Sequence, residues 1–152
     1  GLEMPEVNQV ELHCWLQQRE LVEYHRAHSV ATMCHAPLAR CQRFGKTPLA
    51  ALARQLGRTE AQLAIRWCLQ RGLVPIPKSI QPDRIVSNAA DGFDLSEEHM
   101  AAMAELDSGY MSCKVATPCM ELPWSTLAED IPDPATWGGR RGGGKGGKGG
   151  GK

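Results

Sequence analysis

The segment Pro77-Lys78-Ser79-Ile80-Gln81-Pro82-Asp83-Arg84 gathers side chains that together suit a phosphate. Lys78 offers an ammonium, Ser79 a hydroxyl, and Arg84 a planar guanidinium fork one turn into the element that Pro82 opens. Three donors can therefore converge on one dianion. Asn88 follows Arg84 by four residues, on the same face of a helix, where its amide can read an adenine edge. Lysine, serine and arginine beside a helix start also serve as caps and solvated charges, so position decides between the two uses. A loop at the carboxyl end of a strand in an α/β fold is where ligands bind.

A second constellation is the pair of doublets His13-Cys14 and Cys34-His35. They could bring two thiolates and two imidazoles together, but the spacing matches no usual zinc pattern. Neighbours along a strand also point to opposite faces, so at most one of each doublet reaches a shared ion. No metal site is expected. A third is the tail Gly138–Lys152, with ten glycines and five cations. Such segments bind RNA phosphates weakly and in a salt-sensitive way, and no aromatic residue after Trp137 is present to stack on bases. A low-complexity, disordered extension is the expected reading.

The elements that must position these residues follow from periodicity. Val7–Leu12 alternates apolar and polar residues as a strand does, Arg19–His28 reads as a helix, and Val30–Cys34 as a buried strand. Thr47-Pro48 opens a helix with Leu49, Leu52, Ala53 and Leu56 on one face and Gly57 as its stop. Thr59 and Gln62 form a capping box for a helix ending at Gly72. Leu73–Pro77 is a third strand, shortened by two prolines. Gln81-Pro82 starts a helix to about Ala89, and Ser96 caps a last one with Met100, Met103 and Ala104 turned inward. Strands alternating with helices predict a parallel sheet with right-handed crossovers. Three parallel strands leave edges open, so something should complete the sheet.

The chain has 152 residues, 17 basic and 17 acidic, with 42% hydrophobic and 5% aromatic content. Without the tail, 12 basic residues face 17 acidic ones, so neutrality is the average of an acidic body and a cationic end. No apolar run approaches the roughly 18 residues of a membrane span, and the first residues do not read as a secretory signal. Six cysteines without a C-x-x-C pair, several inside apolar stretches, fit reduced packed thiols and a cytoplasmic setting. The absence of an initiator methionine and an apolar segment within seven residues predict a missing upstream part or a gene fragment.

Val7-Asn8-Gln9-Val10-Glu11-Leu12-His13, Ala36-Pro37-Leu38-Ala39, Ala61-Gln62-Leu63-Ala64-Ile65-Arg66-Trp67 and Val74-Pro75-Ile76-Pro77-Lys78-Ser79 resemble, in order and spacing, the C-terminal half of the aldo-keto reductases. The resemblance covers residues 5–110 and implies part of a (β/α)8 TIM barrel that uses NADPH to reduce aldehydes and ketones. It implies that Lys78, Ser79 and Arg84 hold the 2′-phosphate of NADP and that Asn88 contacts the adenine. Gln9 would hydrogen-bond the nicotinamide carboxamide, Leu38 would line the pyrophosphate path, and His13 would be structural.

The chain departs from the family pattern at several positions. His35 stands where the family has a tyrosine that stacks on the nicotinamide, and an imidazole offers less area. Ala36 replaces a serine, Ser87 a glutamate, Cys14 a proline and Cys41 a glycine. The family's proton-donating tyrosine and its lysine, aspartate and histidine partners lie on the other half of the barrel. No catalytic residue is therefore assigned here, and neither Tyr24 nor Tyr110 is placed to substitute. The expected organisation is a half-barrel over 1–110, an irregular extension over 111–137 and the tail over 138–152. Alone, such a chain should reduce nothing and bind NADPH weakly or not at all. The competing expectation is a non-catalytic interaction protein that self-associates through its open sheet edges.

Overall fold

The computed structural model describes residues 3–89 and 92–113. Trp124, Trp137, Cys119 and the tail 138–152, with most of the expected extension, lie outside the described residues.

Three strands, β1 (Val7–Glu11), β2 (Ala31–His35) and β3 (Val74–Pro75), form a parallel sheet in the order β1-β2-β3. The helices are α1 (Arg19–Ala27), α2 (Pro48–Gln55), α3 (Glu60–Gln70), α4 (Pro82–Ala89) and α5 (Glu97–Ala104), with a short 3-10 turn at Ala39–Cys41. The alternation of strand and helix expected from periodicity is observed. Register pairs Val7 with Ala31, Gln9 with Met33, and Glu11 with His35, while Met33 also pairs with Val74. Paired residues share a face. Thr32 and Cys34 are buried on the side the helices cover, whereas Val7, Gln9, Ala31, His35 and Val74 are exposed on the other.

Burial explains which helices hold the sheet. Leu49 and Ala53 of α2 and Leu63, Ala64, Trp67 and Cys68 of α3 join Leu12, Trp15, Val22, Cys34 and Met103 in one core. One polar group at its edge is doubly paired. His25 of α1, almost fully buried, bonds Thr32 Oγ1 through Nδ1 at 3.0 Å and meets Asn8 Nδ2 through Nε2 at 3.0 Å. Asn8 donates, so the His25 hydrogen sits on Nδ1 and α1 is keyed to both long strands.

Element ends follow their capping chemistry. Thr59 accepts from Gln62 N while Gln62 returns its carbonyl oxygen to Thr59 N, the capping box read from sequence. At α5 the reciprocal partner of Ser96 is the His99 ring. Thr47 precedes Pro48 in extended geometry, but its side chain makes no cap bond. α2 stops at Gln55, two residues before Gly57, whose φ of +60° suits glycine. β3 is two residues long, and beyond it the ladder to β2 continues through Ile76 N to Cys34 O at 3.2 Å; Pro75 and Pro77, which carry no N–H, stand at the alternate positions that face away from β2.

The last helix is fastened back to the loop after β1. The buried Gln17 amide donates to Cys14 O, Met103 O and Ala104 O at 2.9, 3.0 and 3.1 Å. Arg19 adds a bond to Ala104 O and an ion pair with Asp107, and Trp15 O accepts from both Ser108 N and Tyr110 N. Gln17→Leu leaves these carbonyls dry and should lower stability by about 2 kcal/mol, read as a reduced urea midpoint with unchanged far-ultraviolet circular dichroism.

Candidate nucleotide cleft

The phosphate-seeking residues are placed by the turn between β3 and α4. Ser79 Oγ accepts Gln81 N at 3.1 Å, which bends the chain into the first turn of α4, and Arg84 N and Ile85 N then close on Gln81 O. Lys78 and Arg84 are exposed and enter no ion pair among the described residues, while Ser79 and Asn88 are half-buried. All four line one cleft of about 630 Å³ together with Leu38. Arg54 and Arg58 add positive charge to its wall against the single carboxylate of Glu60. Arg58 is steadied by lying 4.7 Å over the Phe93 ring.

An adjoining cavity of about 390 Å³ is lined by His35, Ala36, Pro37 and Ile76, and shares Leu38, Cys41 and Lys78 with the cleft. The two volumes thus form one path from the end of β2 to the start of α4. Six of the seven expected cofactor residues lie along it. Gln9 does not: it is exposed on the open face of the sheet, where Nε2 donates to Met33 Sδ at 3.3 Å.

The segment between the two volumes is strained and pinned. Ala36, Ala39, Arg40 and Cys41 all hold φ between +46° and +58°, a region that disfavours side chains. Cys41 is the position where the family pattern has glycine, and its φ gives the reason. The strain is held by contacts on the next residues. Tyr110 Oη donates to Gln42 Oε1 at 2.5 Å, Arg43 stacks over the Tyr110 ring, Phe44 meets Trp15, and Gly45 N donates to both Glu60 oxygens.

Sequence reasoning passed over the group that organises the end of β1. Glu11, paired with His35, accepts Ser112 N and Ser112 Oγ at 2.6 Å each, Cys113 N at 3.1 Å and the His13 Nε2 at 3.1 Å. Burial pushes the Glu11 carboxyl up, but these hydrogen bonds outweigh it and hold it at about 2. Only the alternation Val7, Gln9, Glu11 could have marked this residue, and nothing local announces a partner 101 positions away. Ser112 and Cys113, expected in an irregular extension, are thereby fastened to the sheet. His13 is fully buried and its imidazole is pushed down by burial, with Glu11 pulling it partly back, which suits the structural role.

The two His-Cys doublets do not converge. Cys14 and Cys34 are buried in the core, Cys14 with its thiol pushed up to about 12 by burial and Cys34 against Cys68. Among the described residues no group of three or more histidine, cysteine or acidic side chains could hold a metal ion. No described helix is long and apolar enough to cross a membrane.

A carboxyl lowered in the folded state stabilises it fully above its unfolded value, near 4.5, and loses that contribution as pH falls toward about 2. The stability gap between the wild type and Glu11→Gln should therefore be constant from pH 7 to 5 and shrink steadily from pH 4 to 2, read from urea midpoints.

Residues 4–108 match the Aldo/keto reductase family. An uncharacterised oxidoreductase of Schizosaccharomyces pombe is 39% identical over 110 residues, covering 72% of this chain and 40% of that protein. The methylglyoxal reductase DkgA of Yersinia pestis is 43% identical, over 69% of this chain and 39% of its own length. Among solved structures, a Gox0644 mutant in complex with NADPH superposes with a TM-score of 0.68 at 39% identity, over 72% of this chain and 41% of that one. The silkworm (Bombyx mori) aldo-keto reductase AKR2E5, complexed with NADPH, gives 0.63 at 30% identity, over 71% of this chain and 37% of that one. The chain thus spans about 40% of the length of the relatives it matches. With three parallel strands, covering helices and a cationic turn after the third, it belongs to the aldo/keto reductase family.

Proposed function

We propose that the cleft binds NADP(H) and that this chain supplies the cofactor-holding half of an enzyme that reduces aldehydes or ketones to alcohols. One observation carries the reading: Lys78, Ser79, Arg84 and Asn88 line a single cleft where β3 turns into α4. Two cations with no ion pair among the described residues and a hydroxyl at a helix start match the charge and donor needs of a 2′-phosphate, which distinguishes the phosphorylated dinucleotide from its parent. The related structures with NADPH support the same cofactor.

In this reading Lys78, Ser79 and Arg84 hold the 2′-phosphate and Asn88 contacts the adenine. Leu38, shared by the two cavities, borders the pyrophosphate path. His35 offers its imidazole face toward the nicotinamide, and Gln9 exchanges its Met33 contact for the carboxamide. When bound, the cofactor supplies a hydride. The chain's own groups place it, and among the described residues Glu11, His13, Tyr24 and Tyr110 are not set to protonate the carbonyl oxygen. Glu11 is ionised at neutral pH, His13 is buried, the Tyr110 hydroxyl is committed to Gln42, and Tyr24 stacks on His28 in α1. In this reading the proton donor of the complete enzyme comes from the other half of the barrel, as the family resemblance implies, and the chain alone is inactive. Free thiols at all five described cysteines support a reducing, cytoplasmic setting.

The clamp is tested apart from the nicotinamide by titrating the chain with adenosine 2′,5′-bisphosphate and with AMP. The bisphosphate should bind at least about tenfold more tightly, and Lys78→Ala and Arg84→Ala should each remove most of that preference. Equal binding of the two nucleotides would sink the assignment. With NADPH and methylglyoxal or 4-nitrobenzaldehyde, loss of absorbance at 340 nm should not exceed the protein-free rate; measurable turnover would refute the inactive half-enzyme.

A second reading is favoured by Val7, Val74 and Ile76, large apolar side chains exposed on the uncovered sheet face. Here the half-barrel serves as a non-catalytic interaction protein that pairs with a second copy. Sedimentation showing a stable dimer indifferent to NADPH would support it, and a monomer across micromolar concentrations would exclude it.

A further inference from the structure

A thiol and an imidazole meet at the carboxyl ends of β1 and β2, where no cofactor role reaches both. Cys113 Sγ lies 3.7 Å from His35 Nδ1, within the range of a sulfur hydrogen bond. Neither partner is there by chance of a loose terminus. His35 is fixed by its pairing with Glu11, and Cys113 by donating its own N–H to the same Glu11 carboxylate, with Ser112 donating two more bonds to it. Glu11 is thus a positioning residue for both halves of the pair. Cys113 is partly exposed, in contrast to Cys14, Cys34 and Cys68 in the core, and His35 also lines the cavity of about 390 Å³. A partly exposed nucleophile within reach of a base, the base itself lining a volume that admits a small molecule, is the arrangement of an activated thiol.

We propose that Cys113 is a nucleophilic thiol, with His35 as its base, that adds soft carbonyl-conjugated electrophiles entering the cavity His35 lines. The inference does not depend on cofactor binding. In the tautomer with its hydrogen on Nε2, His35 Nδ1 takes the S–H proton of Cys113. The sulfur pair attacks the β-carbon of an α,β-unsaturated aldehyde, a C–S bond forms, and the C=C π pair moves onto the carbonyl as an enolate. The imidazolium proton then goes to the α-carbon. Nothing is oxidised or reduced, and the adduct carries the whole electrophile.

Cys41 provides an internal reference, since it is exposed and lines the cavity with His35 but has no histidine bonded to it among the described residues. The full chain is treated with limiting acrolein and the adduct at each cysteine is followed over time by peptide mass spectrometry. Cys113 should react about tenfold faster than Cys41, and His35→Gln should bring Cys113 down to the Cys41 rate without changing Cys41. His35 is exposed, so the variant should keep the wild-type circular dichroism. Reaction of Cys113 no faster than Cys41 in the wild type would overturn the proposal without recourse to any variant. So would an unchanged Cys113 rate in His35→Gln.

Discussion

The parallel register of β1, β2 and β3 is the constraint on which the chemistry rests. Parallel strands put their carboxyl ends on one edge, so Glu11, His35 and the Pro77-Lys78-Ser79 turn emerge side by side from segments far apart in the chain. Antiparallel pairing would send one of them to the opposite end. The register also sorts side chains by face: Thr32 and Cys34 go to the helices, while Gln9, Met33 and His35 stay on the open side. These side chains converge because the backbone pairing leaves them no other place.

Around that edge, rigidity is imposed from outside the loop that needs it. Four consecutive-region residues with left-handed backbone, Ala36, Ala39, Arg40 and Cys41, would relax if left alone. Tyr110, Trp15 and Glu60 hold the following residues from three directions, and Tyr110 is itself anchored by its N–H to Trp15 O. The segment after α5 therefore buttresses the cleft without lining it. Glu11 does the comparable work at the neighbouring strand end through Ser112 and Cys113.

Most of the fold was legible because its signals are local. The Thr59–Gln62 capping box, Pro48 after Thr47, the alternation in β1 and the glycines after α2 and α3 each report on backbone within a few residues. The cationic turn after β3 stood out for the same reason: Lys78, Ser79, Arg84 and Asn88 lie on one short stretch. What escaped was long-range or depended on backbone angles. The Glu11–Ser112 bonds span 101 positions, the Gln17 amide serves carbonyls 86 and 87 residues on, and the left-handed run at 39–41 has no glycine to announce it. Gln9 shares the open face with His35 but lies outside the path that His35 lines. A short β3 was expected from its prolines and is observed, although the donors they lack belong to the flank away from β2.

Those prolines have an outcome for the outer side of the sheet. Ile76 directs its N–H toward Cys34 of β2, and alternate residues of a strand direct theirs oppositely, so Pro75 and Pro77 occupy the two positions that would offer donors outward. That flank has carbonyls but almost no hydrogens to give, and a stray strand finds a poor template there. The flank beyond β1 keeps its full set of amides. Any lateral extension of the sheet is thereby biased to one border, and the other is sealed against fibrillar stacking by two imino acids.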